Sequence, residues 1–350
     1  MNTARFAHWL WGSAPGAQVA RIPLIPLSVL YSAMMHLRTA AYARGWRAIE
    51  RLPLPTVSVG NLSVGGTGKT PLAAWIAEHC IARGRKPGIL LRGYGGDEPL
   101  VHERLVPNAV VIADRDRAAG ARRAAAAGAQ VLVLDDAFQL LRVARDLNIV
   151  VISAESAATS PWTLPAGPWR EGRHALGRAD CVVVTRKRAG TDRAGAVADA
   201  LAARRPARPV SIAYLALDRF NGLRSGTAHP ASAVQGRRVT AAAGIADPFT
   251  FAAQLEALGA SVQLLAYQDH HSYCPEEIER LVRASVEADY LVMTEKDAVK
   301  LRGRWPREGP EPLVAALTVH WEHNGAQLEQ MLDAALDLPR VPNHSLRRGT

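Results

Sequence analysis

The run Ser63-Val64-Gly65-Gly66-Thr67-Gly68-Lys69-Thr70 sets an amine and a hydroxyl directly behind a glycine-rich turn, the arrangement that cradles nucleotide phosphates. Glycine lets backbone N–H groups turn toward phosphate oxygens without a Cβ in the way. Lys69 then reaches the β- and γ-phosphates, and the Thr70 hydroxyl suits a magnesium ligand. An apolar strand precedes the run and a helical stretch follows it, which is the context such a loop requires. The G-x-x-x-x-G-K-T pattern wants glycine where this chain has Ser63, so the match is to the core and second half of the motif. A glycine turn of purely structural origin is the alternative, and the adjacent Gly-Lys-Thr argues against it. ATP and Mg2+ are the expected cofactors.

Carboxylates come next. Val131 to Leu134 reads as an apolar strand ending in Asp135 and Asp136, the place where P-loop folds hold magnesium directly or through water. One aspartate is expected to serve there and the other to cap the following turn, and the sequence does not say which. Asp97 sits in a glycine-rich loop beyond another strand. A hydroxyl acceptor is a poor nucleophile, so a carboxylate must take its proton, and Asp97 is a candidate base; on sequence alone a solvated acidic loop is the stronger reading. His270, in Asp269-His270-His271, can orient a carboxylate, although adjacent loop histidines are commonly just exposed polar residues. With no pattern for a third ligand, zinc is not inferred.

The elements that must position these residues form an α/β, P-loop NTPase-like, mostly parallel sheet flanked by helices. Expected strands are Thr56 to Leu62, Gly88 to Arg92, Ala109 to Ala113, Val131 to Asp135, Leu147 to Ser153 and Cys181 to Thr185. Lys69 to Arg83 and Arg115 to Ala127 read as helices closed by Gly84 and Gly128. A second, smaller α/β domain follows the Arg- and Pro-rich stretch 204–209, with strands at Arg238 to Ala243, Ser261 to Tyr267 and Tyr290 to Thr294, and helices at Pro248 to Leu258 and Pro275 to Ala288. Val210 to Leu217 and Leu313 to Trp321 can pair as a two-stranded β linker with a hinge. The expected divisions are an N-terminal helical, membrane-facing segment (1–50), a P-loop ATP-binding domain (51–205), the linker (206–222 and 311–322), the smaller domain (223–310) and a C-terminal helix and tail (323–350).

The 350-residue chain carries a formal charge of +10 and a pI near 10.0, which points to an anionic partner: nucleic acid, an acidic membrane surface or a phosphorylated substrate. Only five of its 42 Lys and Arg residues are Lys, so a compositional bias toward Arg and Ala accounts for part of the excess. Three distant cysteines argue against zinc sites and disulfide frameworks and fit a reducing compartment. No secretory signal pattern begins the chain. Ile22 to Leu37 is apolar but short for a spanning helix and is interrupted by Pro23 and Pro26; with flanking Phe6, Trp9, Trp11, Trp46 and arginines it reads as an interfacial anchor, against the alternative of a helix packed on the domain.

Taken together, these motifs resemble the tetraacyldisaccharide 4′-kinase family of lipid A synthesis over nearly the whole chain. Ser58 to Pro71 is similar to the family signature, including its missing first P-loop glycine. Arg92-Gly93-Tyr94-Gly95, Gly96 to Pro99, Leu164 to Pro168, Arg170-Glu171, Ala243 to Ala246 and Thr294 to Ala298 also resemble family blocks, in the same order. The resemblance implies transfer of the ATP γ-phosphate to the 4′-hydroxyl of an acylated glucosamine disaccharide 1-phosphate at the cytoplasmic face of the inner membrane. It also implies that Asp97 is the base, that His270 is its partner, and that Glu171 and Asp136 are acids on the magnesium or phosphate side. Where the family usually reads Asp-Asp-Gly-Phe-Gln-His, this chain has Asp135-Asp136-Ala137-Phe138-Gln139-Leu140, so a nucleotide contact from that histidine is lost or replaced.

The main rival is a P-loop ATPase switch of the partitioning or metal-trafficking class, which would carry Lys where this chain has Val64. A GTPase would read guanine through Thr294-Glu295-Lys296-Asp297, but the Lys is displaced by one position. A nucleic-acid binder has the charge but no aromatic-basic RNA signature or zinc finger, so no nucleic-acid partner is expected. A monomer is the expected working unit.

Overall fold

The computed structural model describes residues 3–12, 14–93, 96–156, 160–204 and 207–337. Tyr94 and Gly95, Arg205 and Pro206, and the expected tail beyond Asp337 lie outside these. The chain opens with helices α1 (Thr3–Leu10), α2 (Pro15–Arg21) and α3 (Ile25–Ala43). A run of alternating elements follows: β1 (Thr56–Asn61), α4 (Lys69–Ala82), β2 (Pro87–Leu91), α5 (Asp97–Leu105), β3 (Val110–Ala113), α6 (Arg117–Ala126), β4 (Val131–Leu134), β5 (Leu147–Ser153), β6 (Cys181–Arg186) and α7 (Thr191–Arg204). The remainder comprises β7 (Val210–Gly222), β8 (Ala228–Pro230), β9 (Arg238–Ala243), α8 (Pro248–Ala257), β10 (Ser261–Ala266), α9 (Pro275–Glu287), β11 (Tyr290–Thr294), α10 (Glu295–Leu301), β12 (Leu313–His323) and α11 (Gly325–Leu336).

All twelve strands among the described residues join one sheet, in the order β10-β9-β11-β12-β7-β6-β5-β1-β4-β2-β3, with β8 on β7. Pairing is parallel except where β7 meets β12 and β8. The long β7/β12 pair is not a free ribbon: β7 also bonds β6, and β12 also bonds β11, so one ladder runs through both α/β units. β4 and β5 flank β1 on opposite sides, so the sheet grows both ways from the strand that feeds the phosphate loop. In open α/β sheets that reversal marks the ligand crevice.

Burial explains the runs. β1, β2, β4 and β5 are buried at every position, as expected of strands covered on both faces. Val57, Val59, Leu72, Ile76, Ile149, Leu215, Leu328 and Leu332 form the core under α4 and α11, while Leu90, Leu132, Leu134, Ala121 and Ala124 close the opposite face under α6.

The expected elements recur within a few residues of their predicted ends, apart from β7, which runs on to Gly222. Helices α5, α7 and α10 are additional. Asp97 in particular does not lie in a loop but starts α5. Gly96, at φ +75, makes the turn; Asp97 and Glu98 stand in the first turn, with His102 and Arg104 in the last. That charge order complements the helix dipole.

The N-terminal segment also differs from expectation. Pro15 to Ala43 is helical over 29 residues and, by length and composition, long and apolar enough to cross a membrane. Pro15 and Pro26 fall at the first turns of α2 and α3, where a missing N–H removes no helix bond, and Pro23 lies in the short 3-10 turn Ile22–Leu24 that joins them. Ser28 ties α3 to the following domain: its hydroxyl donates to Thr163 O (2.9 Å) and accepts from Ala166 N (2.9 Å), and Thr163 Oγ1 donates back to Ser28 O (3.0 Å). Tyr31 donates to Arg170 O (3.0 Å) and Arg38 to Gln139 O (2.8 Å). Leu27, Val29, Leu30, Met34 and Leu37 remain exposed. The polar side of α3 therefore faces protein and much of its apolar side faces out.

Gly60 lets the turn after β4 come close to β1. A Cβ there would stand 2.6 Å from the backbone N and the Cβ of Phe138. Gly60→Ala should therefore destabilise the fold by about 1–3 kcal/mol through overpacking, measured by denaturant unfolding against the unsubstituted protein.

Candidate active site

The phosphate loop leaves the buried β1 strand at Asn61, whose amide donates to Ser63 O (2.6 Å) and to Thr67 Oγ1 (3.0 Å). Thr185, on β6, donates to Thr67 O (2.7 Å), and Val64 N donates to Pro168 O (2.8 Å). Ser63 forms an antiparallel bridge with Trp169 and has no left-handed backbone, so serine suffices where the motif usually has glycine. Gly65 and Gly68 do need their identity, at φ +122 and +87. A Cβ on Gly68 would also fall 2.3 Å from Leu215 Cδ1.

Lys69 and Thr70 open α4, and each faces one of the paired aspartates. Thr70 Oγ1 donates to Asp135 Oδ2 at 3.3 Å, and Lys69 Nζ lies 3.6 Å from Asp136 Oδ1. Asp136 has a left-handed backbone, φ +51, and accepts from Arg170 Nη1 at 3.0 Å through both oxygens. Both aspartates thus face the loop, and the expectation that one would cap the next turn gives way to this division. Asp135 is buried and also pairs with His102 Nε2 at 2.8 Å. Burial alone would raise its pKa, but the His102 hydrogen bond and charge, with Lys69 nearby, outweigh it and hold the carboxyl below its usual range.

The residues fit magnesium. Thr70 and Asp135 offer oxygen donors only, and Asp135 Oδ1 is buried without a hydrogen-bond partner among the described residues. Magnesium commonly takes most of its ligands from phosphates and water, so two protein oxygens suffice for it. Glu171 does not join this set. It turns inward, 1% exposed, and accepts from Arg178 at 2.9 Å, although its neighbour Arg170 reaches Asp136.

Asp97 is 3% exposed and meets residues from the second unit. His270 Nδ1 lies 3.0 Å from its Oδ2 and Lys300 Nζ 3.3 Å. Burial pushes the Asp97 pKa up, but the charges of His270 and Lys300 and the His270 hydrogen bond hold it below the usual value, so it stands ionised at neutral pH. His270 itself has a left-handed backbone, φ +59, a conformation that non-glycine residues keep mainly where the surroundings enforce it. Next along α5, Glu98 is raised first by burial and then by Asp135, with Asp136 and Asp97 adding to it and Lys296 opposing. Glu98 thus feels the charges of both carboxylate groups, Asp97 on its own helix and the Asp135–Asp136 pair after β4.

Sequence reasoning overlooked His102, Lys300, Lys187 and Arg170's bond to Asp136. Lys187 donates to Gly66 O at 3.0 Å, and burial lowers its pKa. His271, beside His270, instead pairs with Glu277 at 2.8 Å. Leu140 packs against the buried cluster that contains Leu90, Leu132 and Leu134. Asp297, which a guanine-reading motif would need at the nucleotide, is buried in the second unit and accepts from Gly244 N, Tyr273 and Thr294.

The family model described as Tetraacyldisaccharide-1-P 4′-kinase matches residues 20–96 and 95–337. A tetraacyldisaccharide 4′-kinase from Anaeromyxobacter dehalogenans is 40% identical over 326 residues, covering 84% of this chain and 85% of that one. The enzyme of the same name from Pelobacter propionicus is 37% identical over 320 residues, covering 84% and 86%. The crystal structure of LpxK from Aquifex aeolicus, solved in complex with ATP, superposes with a TM-score of 0.71 at 27% identity and covers 91% of this chain and 99% of its own.

A second inter-unit contact yields a pH test. Arg104 Nε on α5 lies 2.7 Å from Glu295 Oε2 on α10. Burial pushes the Glu295 carboxyl up to about 7, with Arg104 and Arg219 opposing. Raised above its unfolded value, it makes the folded state bind more protons than the unfolded one, so its contribution is fully present below 4.5 and lost as pH rises through 7. Stability by denaturant unfolding should therefore fall between pH 4.5 and 7, and Glu295→Gln should flatten that part of the profile.

Proposed function

Because this chain belongs to the tetraacyldisaccharide-1-P 4′-kinase family, we propose that the two carboxylate groups described above carry its phosphoryl transfer. The protein is an ATP-dependent kinase of lipid A synthesis. It transfers the γ-phosphate to the 4′-hydroxyl of tetraacyldisaccharide 1-phosphate and yields the 1,4′-bisphosphate precursor.

The observation that carries the residue assignment is that α5 joins the two groups: it starts at Asp97, ionised and held by His270 and Lys300, and carries His102 to Asp135, which with Asp136 meets Thr70 and Lys69. In this reading Asp97 accepts the proton of the acceptor hydroxyl as the new P–O bond forms. His270 and Lys300 hold the Asp97 carboxylate in its charged, oriented form. Backbone N–H groups of residues 63–70 and the Lys69 ammonium bind the ATP phosphates, and Arg170 and Lys69 together fix Asp136. Magnesium, held by Thr70 and Asp135, would supply charge neutralisation at the phosphates when bound.

We place the acceptor end of the reaction at a membrane surface. The support is α3, whose apolar side is exposed while Ser28 and Tyr31 bind the protein. Its occupant is the acyl region of a bilayer, with the basic surface favouring anionic headgroups. The two α/β units divide the work, the first holding ATP and the second presenting His270 and Lys300 to the base.

Labelled γ-phosphate from Mg-ATP should appear on tetraacyldisaccharide 1-phosphate in detergent micelles, and not on a soluble sugar. ATP hydrolysis without labelled lipid would instead support the ATPase switch. In the same assay Asp97→Asn should lower kcat by about 10² or more with little change in the KM for ATP, and a normal kcat would remove Asp97 as the base. Leu30→Glu with Leu37→Glu should reduce co-sedimentation with anionic vesicles; unchanged partitioning of folded protein would sink the placement of α3.

A further inference from the structure

We propose that His102 is a positioning residue for Asp135: its buried imidazole fixes the carboxylate that faces Thr70 and thereby sets the affinity for nucleotide-bound magnesium. The proposal rests on the metal assignment of Thr70 and Asp135 made above. Four observations carry it.

The first is burial. His102 is 0% exposed, and its Nε2 lies 2.8 Å from Asp135 Oδ2. Secondly, its Nδ1 is buried with no hydrogen-bond partner among the described residues, so Asp135 is its only polar attachment. A buried polar atom left unpaired is unfavourable, and an apolar side chain of similar volume would avoid that cost. An imidazole retained under these conditions is explained by what Nε2 does for Asp135. Thirdly, the same Oδ2 accepts from Thr70 Oγ1 at 3.3 Å, so two donors from different helices fix the carboxylate plane. The other oxygen, Oδ1, has no hydrogen-bond partner among the described residues. Carboxylates beside metals are commonly held by such outer hydrogen bonds, and their loss weakens metal affinity or activity.

The fourth observation is where His102 sits. It lies on α5, the helix that begins at Asp97 and also carries Arg104 to Glu295. One rigid element therefore bears the proposed base at its start and the residue that orients the magnesium-side aspartate in its last turn. A shift of α5 cannot displace one without displacing the other. This link was not visible in the sequence, because Asp135 and His102 are 33 residues apart and neither spacing nor a motif joins them.

The test uses the full-length protein in detergent and a non-hydrolysable ATP analogue, titrated calorimetrically once with Mg2+ and once with EDTA. His102→Leu and His102→Met remove the donor and keep apolar volume, whereas His102→Gln keeps an N–H that can reach Asp135. We expect the apolar variants to lose about 10–100-fold of the Mg2+-dependent gain in affinity. Binding in EDTA should be unchanged, and the Gln variant should recover most of the loss. An intact Mg2+ gain in the apolar variants would overturn the proposal, as would an equal loss with and without Mg2+. Failure of both apolar variants to fold, beside a folded Gln variant, would make the contact structural and would likewise overturn it. Absence of any Mg2+ gain in the unsubstituted protein would remove the Thr70–Asp135 assignment itself, and the proposal with it.

Discussion

Convergence of several backbone N–H groups on one point is unfavourable for a free chain, since it fixes many dihedrals before any ligand arrives. The fold meets this constraint by tethering the phosphate loop from three directions: Asn61 from within β1, Thr185 from β6, and Pro168 and Trp169 from the segment between β5 and β6. Asn61 and Thr185 belong to strands of the central sheet, and Pro168 and Trp169 to the segment that joins two of its strands. Because Gly68 packs against Leu215 of β7, even the strand that starts the second half of the chain presses on the loop. The rest of the site is positioned relative to this anchored turn.

Helix α5 is the second organising element. Its N-terminus points Asp97 at His270 and Lys300, its interior face sends His102 to Asp135, and its end sends Arg104 to Glu295. Charges that would be unfavourable in isolation are buried in pairs along it, which fits the general rule that such pairs must be complete to be tolerated. The shifts at Asp97, Asp135 and Glu295 follow from which partners each carboxylate has, since burial alone would raise all three.

Much of the fold was legible because the strands flanking the loop are short apolar runs and their helices end in glycine. The loop residues 63–70 were legible because their chemistry depends on consecutive residues. What escaped was tertiary. Asp97 looked like part of a polar loop because glycines precede it, yet Gly96 serves as the turn into a helix. Lys300 and His102 carry no local signal; each matters because a distant strand or helix faces it. Glu171 illustrates the reverse: its neighbour Arg170 turns to Asp136, while Glu171, in the bend that follows, turns inward to Arg178. The apolar run Ile22 to Leu37 reads as short for a span because composition alone does not show that the helical stretch around it reaches from Pro15 to Ala43.

The continuity of the sheet bears on how the two units can move. A separate linker would let one unit swing about a point, but here β7 and β12 are bonded to each other and to strands on both outer sides. Their ladder slips register between Ala316 and Leu317, and Leu317 packs against the cores of both units. A bulge twists and weakens a ladder locally. The two units are thus joined as by a leaf spring: displacement of His270 and Lys300 from Asp97 works against a continuous ladder whose softest points are this slip and a second one between Trp321 and His323.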